Sequence, residues 1–213
     1  MKRIEILGDI PRRVGLACSG GVDSMAVADF LIKGGRQVIL INFDHGTEYG
    51  GRAREMLKAY CEDKNLMRVF PKTFDPPPNG VSVEAYWHKL RYEFYRHIAQ
   101  TMKLDAIITC HHLDDQVETW IMTAATGNPR LIAHSNNETK VIRPFLLTRK
   151  SVFESWCERK GVPYLEDPSN EDTKYTRNLV RHEVVPAMLK VNPGMHKVIA
   201  RKVRAAYDKR SER

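Results

Sequence analysis

The sequence predicts a doubly wound, mostly parallel α/β domain with a small helical appendage at its C-terminal end. Short apolar runs rich in Val and Ile, such as residues 37–43 and 104–110, are typical of buried parallel strands. Amphipathic stretches of helical length separate these runs, and Gly or polar clusters follow several of them. This alternation predicts βαβ units, so we place an α/β domain at residues 1–145 and a basic helical appendage at residues 146–213.

The predicted elements follow one another in a regular order. Strands are predicted at residues 14–17, 37–43, 67–70 and 104–110. Helices are predicted at residues 25–32, 49–64, 83–102, 150–160, 175–185 and 193–210. Pro186 and Pro193 are expected to separate the last two helices, because proline breaks a helix interior. Residues 75–80 contain three prolines and are expected to form a surface loop.

Composition and charge limit the classes of protein. The chain has 213 residues, and 42% of them are hydrophobic, which is enough to bury a core. The net charge of +8 indicates a polyanionic partner such as RNA, although a basic surface can also serve solubility alone. The four cysteines form no Cys-x-x-Cys pair, which argues against a structural zinc site, an iron–sulfur site of that kind or a disulfide framework. No apolar run is typical of a membrane span or a signal peptide, so a cytoplasmic location is expected.

Residues 17–24, with the sequence Ala-Cys-Ser-Gly-Gly-Val-Asp-Ser, are a predicted phosphate-binding loop. They follow a strand and open a helix, whose free N–H groups and positive dipole end attract anions. Gly20 and Gly21 allow the backbone to approach a ligand closely, and Ser19 and Ser24 add hydroxyl donors. The Walker pattern is absent, which disfavours an ordinary P-loop NTPase. A capped strand-to-helix turn without a ligand is the alternative.

A second polar cluster, His-His-Leu-Asp-Asp-Gln-Val-Glu-Thr, occupies residues 111–119. It follows the fourth predicted strand, so it is expected at the same carboxyl edge of the sheet as the loop. Asp115 and Glu118 are three residues apart and share a helix face, where they could hold an ammonium group or a hydrated Mg²⁺. Acidic capping of a helix start explains one carboxylate but not the whole cluster. The adjacent His111 and His112 point apart, which disfavours zinc.

In order and type, these motifs resemble those of the tRNA(Ile)-lysidine synthetases, a family of N-type ATP pyrophosphatases with a PP-loop. The segments that carry the resemblance are Ser-Gly-Gly-Val-Asp-Ser at 19–24, Asp-His-Gly at 44–46, Arg-Tyr at 91–92, the cluster at 111–119, Ile-Arg-Pro-Phe-Leu at 142–146, Glu-Asp-Pro-Ser-Asn at 166–170 and Tyr-Thr-Arg-Asn-Leu-Val-Arg at 175–181. The resemblance runs from about residue 14 to residue 186. Such an ordered series is more specific than any one of its motifs.

The resemblance implies an ATP-dependent ligase that adenylates the C2 oxygen of a wobble cytidine and then lets lysine displace AMP, which gives lysidine. The implied substrates are ATP with Mg²⁺, free L-lysine and a tRNA, for which isoleucine tRNA with a CAU anticodon is expected. The implied ATP-binding residues are Ser19, Gly20, Gly21, Val22, Asp23 and Ser24, with Asp23 also a candidate magnesium ligand. Implied catalytic residues are Asp115 and Glu118 for lysine, Arg91 and Arg177 for phosphates or the cytidine intermediate, and His112 as proton acceptor. Implied contacts with substrate or tRNA come from Asp114, His45, Arg143, Asn178 and Arg181.

Some segments depart from the family pattern. Trp87-His88 stands where an Ala-Arg pair is usual, Thr47-Glu48 replaces an apolar residue and a base, and residues 126–139 lack the expected glycine-rich pattern. The long C-terminal extensions of many family members are also missing, which predicts a short form. Residues 174–213 carry 11 Lys or Arg against three acids. This tail is expected to follow RNA phosphates, unless it is a solvated helix face without a partner.

Two other functions stay open from the sequence. A related PP-loop enzyme could use another nucleophile such as sulfur, or another RNA target, although the lack of Cys-x-x-Cys weakens sulfur transfer. A nucleotide- or RNA-binding module without turnover is the third hypothesis.

Overall fold

One twisted sheet organises the computed structural model, which describes residues 3–43, 48–71, 78 and 80–211. Six strands in this part of the chain pair in the order β3-β2-β1-β4-β6-β5. The strands are β1 (Arg13–Ala17), β2 (Gln37–Ile41), β3 (Met67–Val69), β4 (Ala106–Ile108), β5 (Ser135–Asn136) and β6 (Val141–Ile142). Every pairing is parallel except that of β5 with β6. The predicted doubly wound, mostly parallel α/β fold is therefore confirmed.

Helices cover the sheet and extend beyond it. They are α1 (Val22–Lys33), α2 (Glu48–Asp63), α3 (Val83–Thr101), α4 (Leu113–Ala124), α5 (Lys150–Lys160), α6 (Thr176–Leu179), α7 (Val185–Val191) and α8 (Met195–Ser211). A 3₁₀ turn at Pro168–Glu171 and a π-helical segment at Val180–Val184 complete them. Within the described residues, none of these helices is both long and apolar enough to cross a membrane.

The order of the strands creates a crevice between β1 and β4. From β1 the chain passes through α1 to β2 on one side, whereas β4 pairs with β1 on the other side, with Leu16 opposite Ile108. The loops that leave the carboxyl ends of β1 and β4 therefore turn away from each other, and open α/β sheets bind ligands at such a point. Both predicted polar clusters, residues 19–24 and 111–119, lie directly after these two strands.

The main core lies between the sheet and the pair α1 and α5. Leu16 and Met25 are fully buried there together with Phe153 of α5. On the edge of the same contact, the Trp156 Nε1–H donates to the buried Asp29 carboxylate of α1 at 2.8 Å. Removing a buried phenylalanine such as Phe153 would cost about 3–5 kcal/mol of stability. Although α5 follows the predicted domain boundary, it packs on α1; the division at residue 145 itself stays a prediction.

The structure adds one hairpin that the sequence did not predict and contradicts one predicted helix end. The hairpin of β5 and β6 was not predicted, because strands of two residues carry too little alternation to detect. Pro186 was expected to end a helix, but the helical path continues through it from Thr176 to Val191. The π-helical segment before Pro186 explains this, since its wider turns have Val185 N–H donate five residues back, to Val180 O, and make room for the proline ring.

Candidate functional site

The loop after β1 is shaped as an anion cradle. Gly20 adopts a φ of +85°, and a Cβ built on it would lie 3.0 Å from the Ala53 Cβ of α2 and 3.2 Å from the Met56 Cε. Glycine is therefore needed for both the backbone conformation and the packing. Gly21 is the N-cap of α1 and provides no side-chain hydrogen bond to the first turn. The N–H groups at the start of α1 thus lack a cap from the protein and suit a phosphate.

The side chains of this loop divide into internal and external groups. Ser24 is buried and donates its hydroxyl to Gly21 O at 2.9 Å, so it stabilises the turn. Ser19 lies on the exposed side, where its Oγ accepts from Gly21 N–H at 3.4 Å. Asp23 turns toward α4, and its Oδ2 lies 3.6 Å from His112 Nε2. Of the two serines, Ser19 is the one with a hydroxyl available to a ligand.

A segment from the last third of the chain crosses the loop. Leu165 N–H donates to Gly20 O at 2.9 Å, and the Tyr49 hydroxyl of α2 donates to Leu165 O at 3.3 Å. These bonds fix the segment at residues 164–167 against the cradle. The phosphate loop is therefore framed by α2 on one side and by a much later part of the sequence on the other.

His112, the N-cap of α4, is a buried cation. Its imidazole nitrogens lie 3.5–3.7 Å from carboxylate oxygens of Asp23, Asp114 and Asp115. Burial lowers the pKa of His112, but the three carboxylates outweigh burial and raise it to about 9. This pKa favours a doubly protonated ring at neutral pH, and protonation of Nδ1 would break the hydrogen bond that this atom accepts from Asp115 N–H at 3.3 Å. A group that is already protonated is poorly suited to the predicted role of proton acceptor.

Asp115 and Glu118 converge on two arginines from the helical region that begins at α6. Arg181 Nε donates to Glu118 Oε1 at 2.7 Å and its Nη2 to Oε2 at 3.2 Å, in a bidentate pair. Arg177 Nη1 lies 3.8 Å from both Asp115 Oδ1 and Glu118 Oε2. Burial raises the pKa of Asp115, but His112, His111 and Arg177 outweigh it, so this pKa lies below its usual value. Both carboxylates share one helix face, as their spacing predicts, and that face meets guanidinium groups.

In the described part of the chain, a large and a small cavity open from the phosphate loop. The large cavity, of about 870 Å³, lies between the loop, α5 and the crossing segment, and His112 and Arg181 reach its wall. The small cavity, of about 270 Å³, lies toward α3. Its wall contains Arg91, Tyr92, Tyr95, Cys110, His111 and Arg177. Ser19, Gly21, Asp23 and Asp115 line both cavities. Groups bound in the two cavities would therefore meet at the loop.

The sequence missed several residues of these walls. His111 lines the small cavity, and its Nδ1 lies 2.9 Å from the Thr109 hydroxyl. Burial lowers the pKa of His111 to about 4, so this imidazole is neutral at pH 7, unlike its neighbour. In the large cavity the missed groups are Glu154 and Glu158, one turn apart on α5. The Glu-Glu spacing of four was visible in the sequence, but nothing there placed α5 beside the phosphate loop.

Three of the predicted contact residues have hydrogen-bond partners within the protein. Asp114 accepts from Arg149 Nε at 3.0 Å and Lys150 N–H at 2.8 Å, which joins the starts of α4 and α5. Asn178 donates its amide to Ser169 O and Asp172 O at 2.8 and 3.0 Å. Arg143 lies behind the small cavity, where its Nη2 donates to the Tyr92 hydroxyl at 2.7 Å. The predicted contacts of Asp114, Asn178 and Arg143 with substrate or tRNA stay predictions.

The remaining predicted residues are partly or wholly outside this geometry. His45 lies in residues 44–47, outside the described residues. Arg91 lies on the wall of the small cavity with its guanidinium 5.9 Å from the centre of the Phe43 ring.

Asp23 offers a fit to a divalent cation. Its Oδ1 is buried and finds no hydrogen-bond partner within the described residues. A carboxylate oxygen in this state, beside a phosphate loop, matches the ligand chemistry of Mg²⁺, which binds through one or two carboxylates plus substrate phosphates. No group of three or more His, Cys, Asp or Glu side chains in the described ranges is arranged to hold a metal by itself. The fit is therefore to a cation brought with a nucleotide.

A mostly parallel sheet with a glycine-rich anion cradle at its β1/β4 crevice defines a nucleotide-binding α/β protein of the non-Walker type. The model of one such family, described as the PP-loop domain, matches residues 3–188. The chain belongs to the PP-loop domain family.

Similar sequences and folds support the same assignment. A tRNA(Ile)-lysidine synthase from Thermotoga sp. (strain RQ2) is 32% identical over 203 residues, which are 90% of this chain and 49% of that protein. Another from Lactiplantibacillus plantarum is 30% identical over 88% of this chain and 44% of its own length. The chain thus spans about half the length of the curated relatives that it matches.

Solved structures resemble the chain in fold. A U34-tRNA thiolase from Methanococcus maripaludis with its [4Fe-4S] cluster aligns with a TM-score of 0.73 and 16% identity, over 92% of this chain and 71% of that one. An NMN synthetase from Francisella tularensis aligns with a TM-score of 0.51 and 14% identity, over 71% of this chain and 63% of that one.

Proposed function

We propose that this chain modifies a wobble cytidine of tRNA, using ATP to adenylate its C2 oxygen and lysine to displace AMP. The observation that carries the proposal is the convergence of the phosphate loop, Asp115 and the arginines of the small cavity at one crevice. The similarity to tRNA(Ile)-lysidine synthases supports the choice of tRNA and lysine as substrates.

The first step joins cytidine to AMP. The cytidine C2 oxygen attacks the α-phosphorus of ATP, a P–O bond forms, and the bond to the β-phosphate oxygen breaks with release of pyrophosphate. The N–H groups at the start of α1 would hold the phosphates. Arg91 and Arg177 on the wall of the small cavity would offset negative charge as it develops. Asp23 would hold Mg²⁺, which neutralises phosphate charge when it is bound.

The second step exchanges oxygen for nitrogen at C2. The ε-amine of lysine attacks C2, a C–N bond forms, and the C2–O bond breaks as AMP leaves. The attacking nitrogen becomes strongly acidic as the C–N bond forms, so a neutral base nearby can then take its proton. His111 is unprotonated at pH 7 because its pKa is about 4, and it lines the same cavity as Asp115. We therefore assign proton acceptance to His111, and to His112 the task of holding Asp23 and Asp115 in place.

Asp115 and Glu118 have different roles in this proposal. Glu118 accepts from Nε and Nη2 of Arg181, whereas Asp115 lines both cavities. Asp115 is thus the carboxylate placed to receive the ammonium group of lysine. Glu118 keeps Arg181 in position, and the acidic wall of Glu154 and Glu158 favours the approach of a cationic amino acid through the large cavity.

Sulfur transfer is the competing function. Cys110 lines the small cavity, but burial raises the pKa of its thiol well above the usual value, so the reactive thiolate is scarce at neutral pH. Among the described cysteines none forms a disulfide. The cavity chemistry therefore favours an amine as nucleophile.

Nucleoside mass spectrometry tests the proposal. The protein is incubated with ATP, lysine and isoleucine tRNA bearing a CAU anticodon, and the tRNA is then digested. We expect a nucleoside with the mass of cytidine plus lysine minus water, together with AMP and pyrophosphate. A tRNA with uridine at the wobble position and the Asp115→Asn variant serve as controls that yield no product. A sulfur-bearing nucleoside, or no product from any tRNA with a wobble cytidine, would overturn the proposal.

A further inference from the structure

The hairpin of β5 and β6 borders an open cavity that the proposed reaction does not use. This hairpin cavity has a volume of about 420 Å³, within the roughly 300–1,000 Å³ typical of small-molecule sites. Its wall is made by six polar residues, namely Ser135, Asn136, Asn137, Glu138, Arg143 and Arg210, together with Ile132 and Ala133. It lies in the part of the sequence, residues 126–139, that departs from the pattern of the lysidine synthetases.

The inner wall is formed by Arg143, a buried positive charge that has no counter-ion among the described residues. Arg143 is only 7% exposed, and its Nη1 and Nη2 donate to Ala133 O at 2.9 Å and to the Tyr92 hydroxyl at 2.7 Å. Its Nε is buried and has no partner among the described residues. Neither acceptor is a carboxylate. A buried charge is costly unless it is paired, so this site favours a ligand that brings a negative charge.

A second arginine reaches the same cavity from α8. Arg210 Nη1 donates to the backbone oxygen of Ser135 at 3.3 Å, again a neutral acceptor. Glu138 is exposed on the hairpin turn and forms no ion pair with either arginine in the described part of the chain. Two guanidinium groups for phosphate and two amides that can bond base edges, Asn136 and Asn137, suit a nucleotide.

Arg143 also connects this cavity to the reaction site. Its Nη2 bonds Tyr92, which lines the small cavity, while Arg143 itself lines the hairpin cavity. A ligand that draws Arg143 outward would change the position of Tyr92 beside Arg91. The hydrogen bond from Arg143 to Tyr92 thus connects the wall of the hairpin cavity to the wall of the small cavity.

We propose that the hairpin cavity binds one nucleotide of the substrate RNA, at a position flanking the modified cytidine. The choice of RNA over a free nucleotide rests on the proposed function. Phosphate oxygens would bond Arg143 and Arg210, and the base edge would meet Asn136 and Asn137. This contact would set the register of the RNA, so that the target base enters the small cavity.

Binding of an anticodon stem-loop RNA tests the inference without requiring turnover. Fluorescence anisotropy is measured between about 50 and 200 mM salt for Arg210→Ala, Asn137→Ala and the matched control Lys209→Ala. Lys209 is exposed on the same turn of α8 and does not line the cavity, so its variant removes the same charge. We expect Arg210→Ala to weaken RNA binding about tenfold and to reduce the salt slope by about 1, with Lys209→Ala within about twofold of wild type.

The outcomes separate this inference from the proposed function. In one outcome, the wild-type protein makes no lysine-bearing nucleoside while Arg210→Ala still binds RNA more weakly than Lys209→Ala. That result would support RNA binding at the hairpin cavity and would refute the proposed reaction. If product forms and all three variants bind RNA like wild type, the cavity assignment is wrong. Calorimetric binding of cytidine monophosphate that depends on Arg210, with RNA affinity unchanged, would show a free-nucleotide site and would also overturn it. Arg143→Lys retains the positive charge but loses the planar guanidinium with its several N–H donors. We expect this variant to weaken RNA binding as well.

Discussion

Arg181 and Glu118 form a bidentate ion pair at the base of the crevice, with Nε to Oε1 at 2.7 Å and Nη2 to Oε2 at 3.2 Å. Glu118 is buried on α4, and Arg181 comes from the π-helical segment of Val180–Val184. The pair therefore couples the position of that segment to the acidic face of α4. Burial lowers the pKa of Arg181, but Glu118 outweighs burial and raises it, so the guanidinium stays charged.

Arg181→Met should destabilise the fold because it leaves Glu118 buried and unpaired. We expect a loss of about 2–4 kcal/mol in the free energy of unfolding, measured by urea denaturation at pH 7. Glu118→Gln combined with Arg181→Met should recover at least half of that loss, since no buried charge remains. A double variant as unstable as the sum of the single variants would contradict the coupling.

The stability of the protein should fall as pH rises from about 6.5 to about 9. His112 has a folded pKa of about 9, above its usual value of about 6.5, so its contribution is complete below pH 6.5 and is lost as pH rises through 9. We expect a decrease of up to about 3 kcal/mol across this window, measured by urea denaturation. His112→Asn keeps a good N-cap and should flatten the slope. His97→Asn, at an exposed histidine of α3, should retain it; equal slopes in both variants would exclude His112 as the source.

Gly20→Ala should reduce both stability and ATP binding. The φ of +85° and the 3.0 Å approach to the Ala53 Cβ cannot accommodate a side chain without movement. We expect about 1–3 kcal/mol of destabilisation and at least a tenfold loss of ATP affinity, by thermal unfolding and calorimetry. Gly21→Ala is the matched control, because a Cβ there meets no atom closer than 3.5 Å. It should retain the stability of the wild type and change ATP binding alone.

Asp23→Ala should abolish pyrophosphate release and leave tRNA binding within about twofold of wild type. The carboxylate with the unpartnered Oδ1 is lost, and so is the proposed magnesium ligand. A coupled assay for pyrophosphate and a filter-binding assay for tRNA measure the two properties. Equal loss of both would mean that the loop supports the fold, and its assignment to ATP would then be wrong.

Cys110→Ser should retain turnover within about twofold. The thiol is protonated at neutral pH and is not needed when an amine is the nucleophile. Product formation per minute under saturating ATP, lysine and tRNA is the measurement. A loss of a hundredfold or more, with stability unchanged, would instead favour sulfur chemistry at this residue.

Much of the fold was predictable because its signals are local. The Val- and Ile-rich run before residue 42 and the glycines after β1 give a parallel strand and a loop with little need for tertiary information. The short hairpin of β5 and β6 and the passage of the helix through Pro186 were not predictable, because pairing and a change of helical register decide them.

The sequence predicted the kinds of side chains that form the site, but not which residues would bond to them. The spacing of Asp115 and Glu118 gives their common face, but it does not show that Arg181, 63 residues later, would bond Glu118. The different protonation states of two adjacent histidines were equally hidden. His111 is neutral and His112 is protonated, because burial acts on both while the carboxylates surround His112 more closely.

The hydrogen bond from Leu165 N–H to Gly20 O means that the nucleotide site is completed only when a late part of the chain has been synthesised. The crossing segment, which makes the outer frame of the cradle, leaves the ribosome about 145 residues after the cradle itself. A nascent chain would therefore expose an open, glycine-rich loop until that segment is made. Tight nucleotide binding would therefore report a folded chain, because the complete site requires the crossing segment to be bonded to the phosphate loop.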